Sequence, residues 1–229
     1  MNRKRGELER CYDLSKEQMK KITTAFSALI HAVAVLTGSV LLGLNTRFLY
    51  YINIPKIQAQ NGDYDYSLIK RNYDILIDYL NPFYRGPLKL DGLVMSPQGE
   101  FHFYEVKVIF DLLFILFIVS LILSVVLFMK KKKERKLGYL KGAAALTFIL
   151  PVLLGIPFLV DFSKAFVVFH EIAFSNDYWI FDPRIDPIIK ILPEWFFMYA
   201  AFLILIYMIL FAVLTLFIER TFGKKKHTP

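Results

Sequence analysis

The chain has 229 residues, 56% hydrophobic and 16% aromatic, with a formal charge of +8. The apolar excess sits in long uncharged blocks, which excludes intrinsic disorder and a collagen-like chain; a single cysteine excludes a disulfide scaffold. The placement of the basic residues favours an integral membrane protein with positive inner flanks over a nucleic-acid binder.

The N-terminal segment, Met1–Lys21, is basic, with Arg3, Lys4, Arg5, Arg10, Lys16, Lys20 and Lys21. The first apolar block follows, Ile22–Leu44. A membrane-spanning helix needs about 20 apolar residues, and three further blocks qualify: Ile109–Met129, Gly142–Val160 and Phe196–Ile218. Backbone polar groups must be satisfied inside lipid, so all four are expected as helices. Asp111 is their only formal charge. Pro151, Gly155 and Pro157 make the third the least regular, with a kink as the plain expectation. The first block is too long for a signal-peptide core and is followed by no cleavage site. Within it, Leu36-Thr37-Gly38-Ser39 resembles the start of a lipoprotein signal, but Ser39 stands where a cysteine would be needed.

Lys130–Lys141 and Glu219–Pro229 are basic like the N-terminal segment. The three together hold 18 of the 28 Lys and Arg residues and carry +12. The intervening stretches, Asn45–Val108 and Asp161–Trp195, carry −3. Because Lys and Arg collect on the cytoplasmic side, the expected fold is an all-α integral membrane protein. It has four transmembrane helices, both termini cytoplasmic, and a small mixed extracellular cap built from residues 45–108 and 161–195. The lysine run could also attract anionic inner-leaflet lipid. Cys11 lies on the inner side and reads as a spectator thiol.

The outer stretches hold nine of the thirteen tyrosines, read mainly as an interfacial belt and cap core. Leu68–Leu80 is expected as a helix burying Leu68, Ile69, Tyr73, Leu76, Ile77 and Leu80, ended by Asn81-Pro82. Leu88, Leu90 and Val94 suggest a short strand. Phe101–Val108 leads into the second span. Lys164–Phe174 is expected as an amphipathic helix lying on the membrane, its apolar face carrying Phe166, Phe169, Ile172 and Ala173. Asp182-Pro183-Arg184-Ile185-Asp186-Pro187 reads as turns.

Four histidines are the candidates for proton chemistry. His227 lies in the basic tail and reads as solvated. His31, near the middle of the first span, is a candidate site by position, with a helix–helix hydrogen bond as the plainer alternative. His102 and His170 share an address: outer side, near the lipid surface, among aromatic residues. Imidazole can exchange protons near neutral pH, and Glu105 would face His102 if that segment is helical. Two unrelated interfacial histidines would be the bland alternative. His170-Glu171-Ile172-Ala173-Phe174 begins like a zinc-protease motif but lacks the second histidine. No metal or cofactor is expected, and no serine-hydrolase elbow or phosphate loop is present.

The run Phe169-His170-Glu171-Ile172-Ala173-Phe174-Ser175-Asn176-Asp177-Tyr178-Trp179-Ile180-Phe181-Asp182-Pro183 resembles the bacterial lipoprotein intramolecular transacylases. So do Asp186-Pro187-Ile188-Ile189, Leu192-Pro193-Glu194, Asn72-Tyr73-Asp74 and the stretch from Met95-Ser96 through His102-Phe103 to Glu105-Val106-Lys107. The resemblance implies an enzyme that moves the sn-2 acyl chain of a diacylglyceryl group to the α-amine of a lipoprotein's N-terminal cysteine. The product would be a lyso-form lipoprotein. The catalytic pair would be His102 and His170, with Glu105, Asn176, Asp177, Tyr178, Trp179 and Arg184 binding substrate or supporting the pair. Partners would be a diacylated bacterial lipoprotein and membrane lipids, with no nucleic acid. The protein would be multi-pass in the bacterial plasma membrane, its active site on the extracellular side. The competing readings are a membrane acyl-ester hydrolase or acyltransferase, and a non-enzymatic transporter or sensor subunit.

Overall fold

The computed structural model describes residues 2–134 and 136–223, with side chains from Tyr12 onward apart from Leu154. The expectations for Cys11, Arg135, His227 and the basic side chains before Tyr12 and after Gly223 fall outside the described residues. The helices are α1 (Asn2–Asn45), α2 (Arg47–Tyr51), α3 (Ile54–Gln60), α4 (Tyr66–Tyr79), α5 (Pro97–Lys133), α6 (Tyr139–Val160), α7 (Phe162–Ala173) and α8 (Glu194–Gly223), with a 3-10 turn at Pro187–Lys190. Each predicted span lies within one helix. Residues Tyr12–Asn45 of α1, and all of α5 and α8, are long and apolar enough to cross a membrane. The third predicted span lies in α6, which has 22 residues and runs through both Pro151 and Pro157.

α1 packs against α5, α6 and α8. Its buried face is made of small residues, Ser27, Ala28, Ala32, Ala34 and Ser39. Lipid supplies no hydrophobic drive between helices, so close backbone approach of this kind is what lets them pack. At Gly43 a Cβ would meet Ile204 at 2.4 Å, so only glycine lets α8 come this near. His31 joins three helices. Thr215 Oγ1 gives its own hydrogen to the Phe211 carbonyl and sits 3.1 Å from His31 Nε2, while Ser124 Oγ is 2.7 Å from Nδ1. The consistent tautomer has Nε2–H donating to Thr215 and Nδ1 accepting from Ser124. The helix–helix hydrogen bond is therefore the role of His31. Asp111 is paired too: Lys107 Nζ lies 3.3 Å from it and donates to the Asn81 carbonyl at 2.9 Å.

The two segments between these helices pack on each other. Their shared core contains Tyr50, Ile54, Ile57, Ile69, Tyr73 and Leu76 from the first, and Ile188, Ile191 and Leu192 from the second. The Tyr50 hydroxyl, fully buried, donates to the Ile191 carbonyl at 2.6 Å. Asn61 donates to the Lys190 carbonyl at 2.8 Å. α4 begins two residues before the expected helix because Asp65 caps it, accepting from the Leu68 N–H at 2.6 Å. α2 and α3 are too short to announce themselves by periodicity.

One expectation fails. No strand forms at Leu88–Val94, nor elsewhere among the described residues. The backbone there is claimed by a side chain: buried Asn72 accepts from the Asp91 N–H at 2.8 Å and donates to the Asp91 carbonyl at 2.9 Å. One amide thus takes the place of a neighbouring strand. Three residues of the expected apolar face of α7, Phe169, Ile172 and Ala173, are exposed, while Phe166 is half-buried. The buried residues of α7 are Ala165 and His170. The helix turns its histidine inward and leaves aliphatic side chains outside, on the side available to lipid.

Candidate active site

His102 and His170 meet. Their ring centroids are 6.1 Å apart, although 68 positions separate them in the chain. Only 5% of His102 and 9% of His170 is exposed, so proton exchange there is shielded from bulk water. Each is placed by a rigid helix. α5 runs unbroken from above the second predicted span to its end, and His102 lies in its second turn. α7 leaves α6 through the single residue Asp161, whose side chain caps α7 by accepting from the Lys164 N–H at 3.0 Å. His170 falls in the last turn of α7.

An aromatic wall surrounds the pair. Phe174 and Phe181 lie edge-on to His102 at 4.7 and 5.5 Å. Phe166 and Trp179 flank His170 at 4.2 and 4.9 Å. Burial and the neighbouring His170 push the His102 imidazole down to about 4. Burial also lowers His170, opposed by its hydrogen bond to the Phe166 carbonyl. Both rings are therefore neutral at pH 7 and free to accept protons. In His170, Nδ1 lies 2.6 Å from that carbonyl. A carbonyl only accepts, so Nδ1 carries the hydrogen and Nε2 presents its lone pair.

The supporting residues divide. Asn176 donates to Glu105 Oε1 at 2.9 Å, joining the loop after α7 to α5. Its side-chain oxygen accepts from the Tyr178 N–H at 3.0 Å and its carbonyl from Trp179 Nε1 at 3.1 Å. Tyr178 packs edge-on against Phe101 at 5.8 Å. Asp177 is exposed and its carbonyl closes a turn to the Ile180 N–H. Arg184 is exposed and forks onto Asp182. Asn176 and Arg184 are thus engaged with carboxylates of the protein itself. Glu105 makes no hydrogen bond to His102.

Asp186 was read as part of a turn and of the family resemblance, with no role at the site, yet it anchors the start of α5 beside it. It is 3% exposed and accepts from the Ser96 N–H and hydroxyl, both at 2.7 Å. Ser96 is the N-cap of α5 and accepts from the Gly99 N–H at 3.0 Å. The carboxylate so placed also meets the positive end of the helix dipole. A Cβ at Gly99 would come within 2.5 Å of Asp186 Oδ1, which explains glycine there. The Ser-Pro pair that opens α5 is a start signal. The partner ninety positions away had none.

An apolar cavity of about 590 Å³ lies elsewhere, between α1 and α5, with His31 and Ser124 among its lining and Asn81 and Phe83 at its cap side. Neither His102 nor His170 lines it. Among the described residues no cluster of ligating side chains could hold a metal ion.

A sequence model described as lipoprotein intramolecular transacylase Lit matches residues 25–197. The chain belongs to the Lit lipoprotein intramolecular transacylase family. The solved structure of Lit from Bacillus cereus is 36% identical, with a TM-score of 0.87 over 92% of this chain and 98% of that one. Two variants of that protein, with one histidine replaced by arginine or by alanine, are each 35% identical. Their TM-scores are 0.85 and 0.84, covering 95% and 93% of this chain and 97% of theirs. No curated protein matches. Lit membership makes this chain a membrane acyltransferase acting within a lipoprotein.

Proposed function

We propose that the enzyme moves the sn-2 acyl chain of an S-diacylglyceryl cysteine to that residue's own α-amine, giving lyso-form lipoprotein. The observation that carries the proposal is the buried, neutral pair His102 and His170, brought from two segments into one aromatic enclosure. Amine and ester belong to one substrate, so no acyl-enzyme is required. Among the described residues neither histidine bonds to a serine or cysteine, which suits such direct transfer. The C–N bond forms and the C–O bond to glycerol breaks. Nitrogen loses a proton and the glycerol oxygen gains one, so the total mass is unchanged. His102 and His170 handle those two protons. The enclosure folds the glyceryl arm until amine and carbonyl meet, which contributes up to about 7–11 kcal/mol, and it keeps out water that would hydrolyse the ester.

In this reading the chain crosses the membrane four times with both termini cytoplasmic and the site faces the extracellular side, where the substrate's diacylglyceryl cysteine would be presented. The +12 and −3 charge division supports this orientation. The test is transfer on a synthetic diacylated lipopeptide by purified wild type, His102→Ala and His170→Ala. Each variant is expected to lose about 10²–10⁴-fold in rate. Full activity in both would overturn the assignment.

A further inference from the structure

Two polar atoms beside the histidine pair are buried without a hydrogen-bond partner: Nδ1 of His102 and Oε2 of Glu105. Leaving such groups unmatched is costly, and buried atoms of this kind point to a missing partner. The two residues stand one helical turn apart on one face of α5, where side chains at this spacing are neighbours. Asn176 fixes the carboxylate by its other oxygen, at 2.9 Å. If Nε2 carries the hydrogen of His102, both orphaned atoms are acceptors. The guest that satisfies two adjacent acceptors, one of them a carboxylate oxygen, is a group with several N–H donors.

We infer that Glu105 Oε2 and His102 Nδ1 form the subsite for the substrate's free α-amino group. The inference rests on the function proposed above. It assigns His102 the nitrogen and leaves His170 Nε2 to the glycerol side. An α-ammonium fills both acceptors and is drawn in by charge. It sheds one proton to solvent to become nucleophilic. As the C–N bond forms, the now acidic nitrogen passes a second proton to His102 Nδ1; the imidazolium gives up its Nε2 hydrogen, which His170 Nε2 takes and delivers to the departing glycerol oxygen, leaving both rings neutral. The product nitrogen is an amide with a single hydrogen and no charge. It no longer suits the carboxylate, so the same contact that recruits substrate favours release of product.

The test measures binding in the full-length His170→Ala protein, where turnover does not interfere. The probes are a diacylglyceryl lipopeptide with a free α-amine and its N-acetylated counterpart. A preference for the free amine of about 10-fold or more is expected from a charge-assisted contact. Adding E105Q should reduce it to near parity, and adding E105D, which withdraws the charge by one methylene, should give an intermediate value. Thermal unfolding checks that each variant is folded. Should E105Q fail to fold, E105D carries the test. A preference unchanged from the Glu105 protein, or no preference at all, overturns the inference. Wild-type turnover separates the two claims: transfer without a Glu105-dependent preference removes only the subsite. Fatty-acid release alongside that preference removes only the proposed function.

Discussion

At the scale of residues, the site depends on burying imidazole in its neutral form. The unfolded histidine titrates near 6.5, whereas His102 in place is pushed down to about 4. Between those values the unfolded chain holds more protons, so folding stability rises with pH there and is lost as the solution is acidified. The thermal midpoint should fall between pH 6.5 and 4, and His102→Gln should flatten that decline; an identical slope in the variant would contradict the burial account. Asp186 belongs to this scale as well. Its carboxylate accepts two hydrogen bonds from Ser96, so Asp186→Ala leaves a half-buried N–H and hydroxyl unmatched and should cost about 1 kcal/mol or more. Urea unfolding checks the figure. The histidines could be read from the sequence because their residue type and aromatic surroundings recur in both segments. Asp186 could not, since its role comes from a contact between distant positions.

Among elements, the long helices were legible and the short connections were not. Four apolar blocks dictate four helices because lipid leaves the backbone no other choice. In α4, six apolar residues at helical spacing marked its buried side, and five of them are buried: Ile69, Tyr73, Leu76, Ile77 and Leu80. The alternation at Leu88, Leu90 and Val94 misled because strand patterning says nothing about where a partner comes from. Here the partner is the Asn72 side chain. Asn72→Ala should release the Asp91 segment, with faster hydrogen exchange at the Asp91 amide and a loss of about 1–3 kcal/mol. Unaltered exchange would mean that other contacts hold the loop. In α7 the apolar face was legible, with Phe169 and Ile172 exposed, but the inward side was not. Hydropathy finds apolar side chains, but in a membrane protein these can face lipid while a polar group such as His170 faces inward.

On the scale of the whole molecule, charge and chemistry sit at opposite ends of the bundle. In the proposed topology the basic flanks orient the chain, and the packed segments around Tyr50 and Ile191 hold the histidines in register. The orientation predicts that Cys11, the single cysteine, reacts with an impermeant maleimide only after cells are permeabilised. In a Cys11→Ser background, a cysteine replacing exposed Lys89 should react in intact cells. The reverse pattern would invert the topology. The central claim is that acyl transfer occurs within one substrate molecule, between groups held by His102 and His170. Mass spectrometry of purified enzyme with a diacylated lipopeptide tests it most directly. The account predicts an unchanged total mass with a new N-acyl group, and loss of one acyl chain as free fatty acid would contradict it.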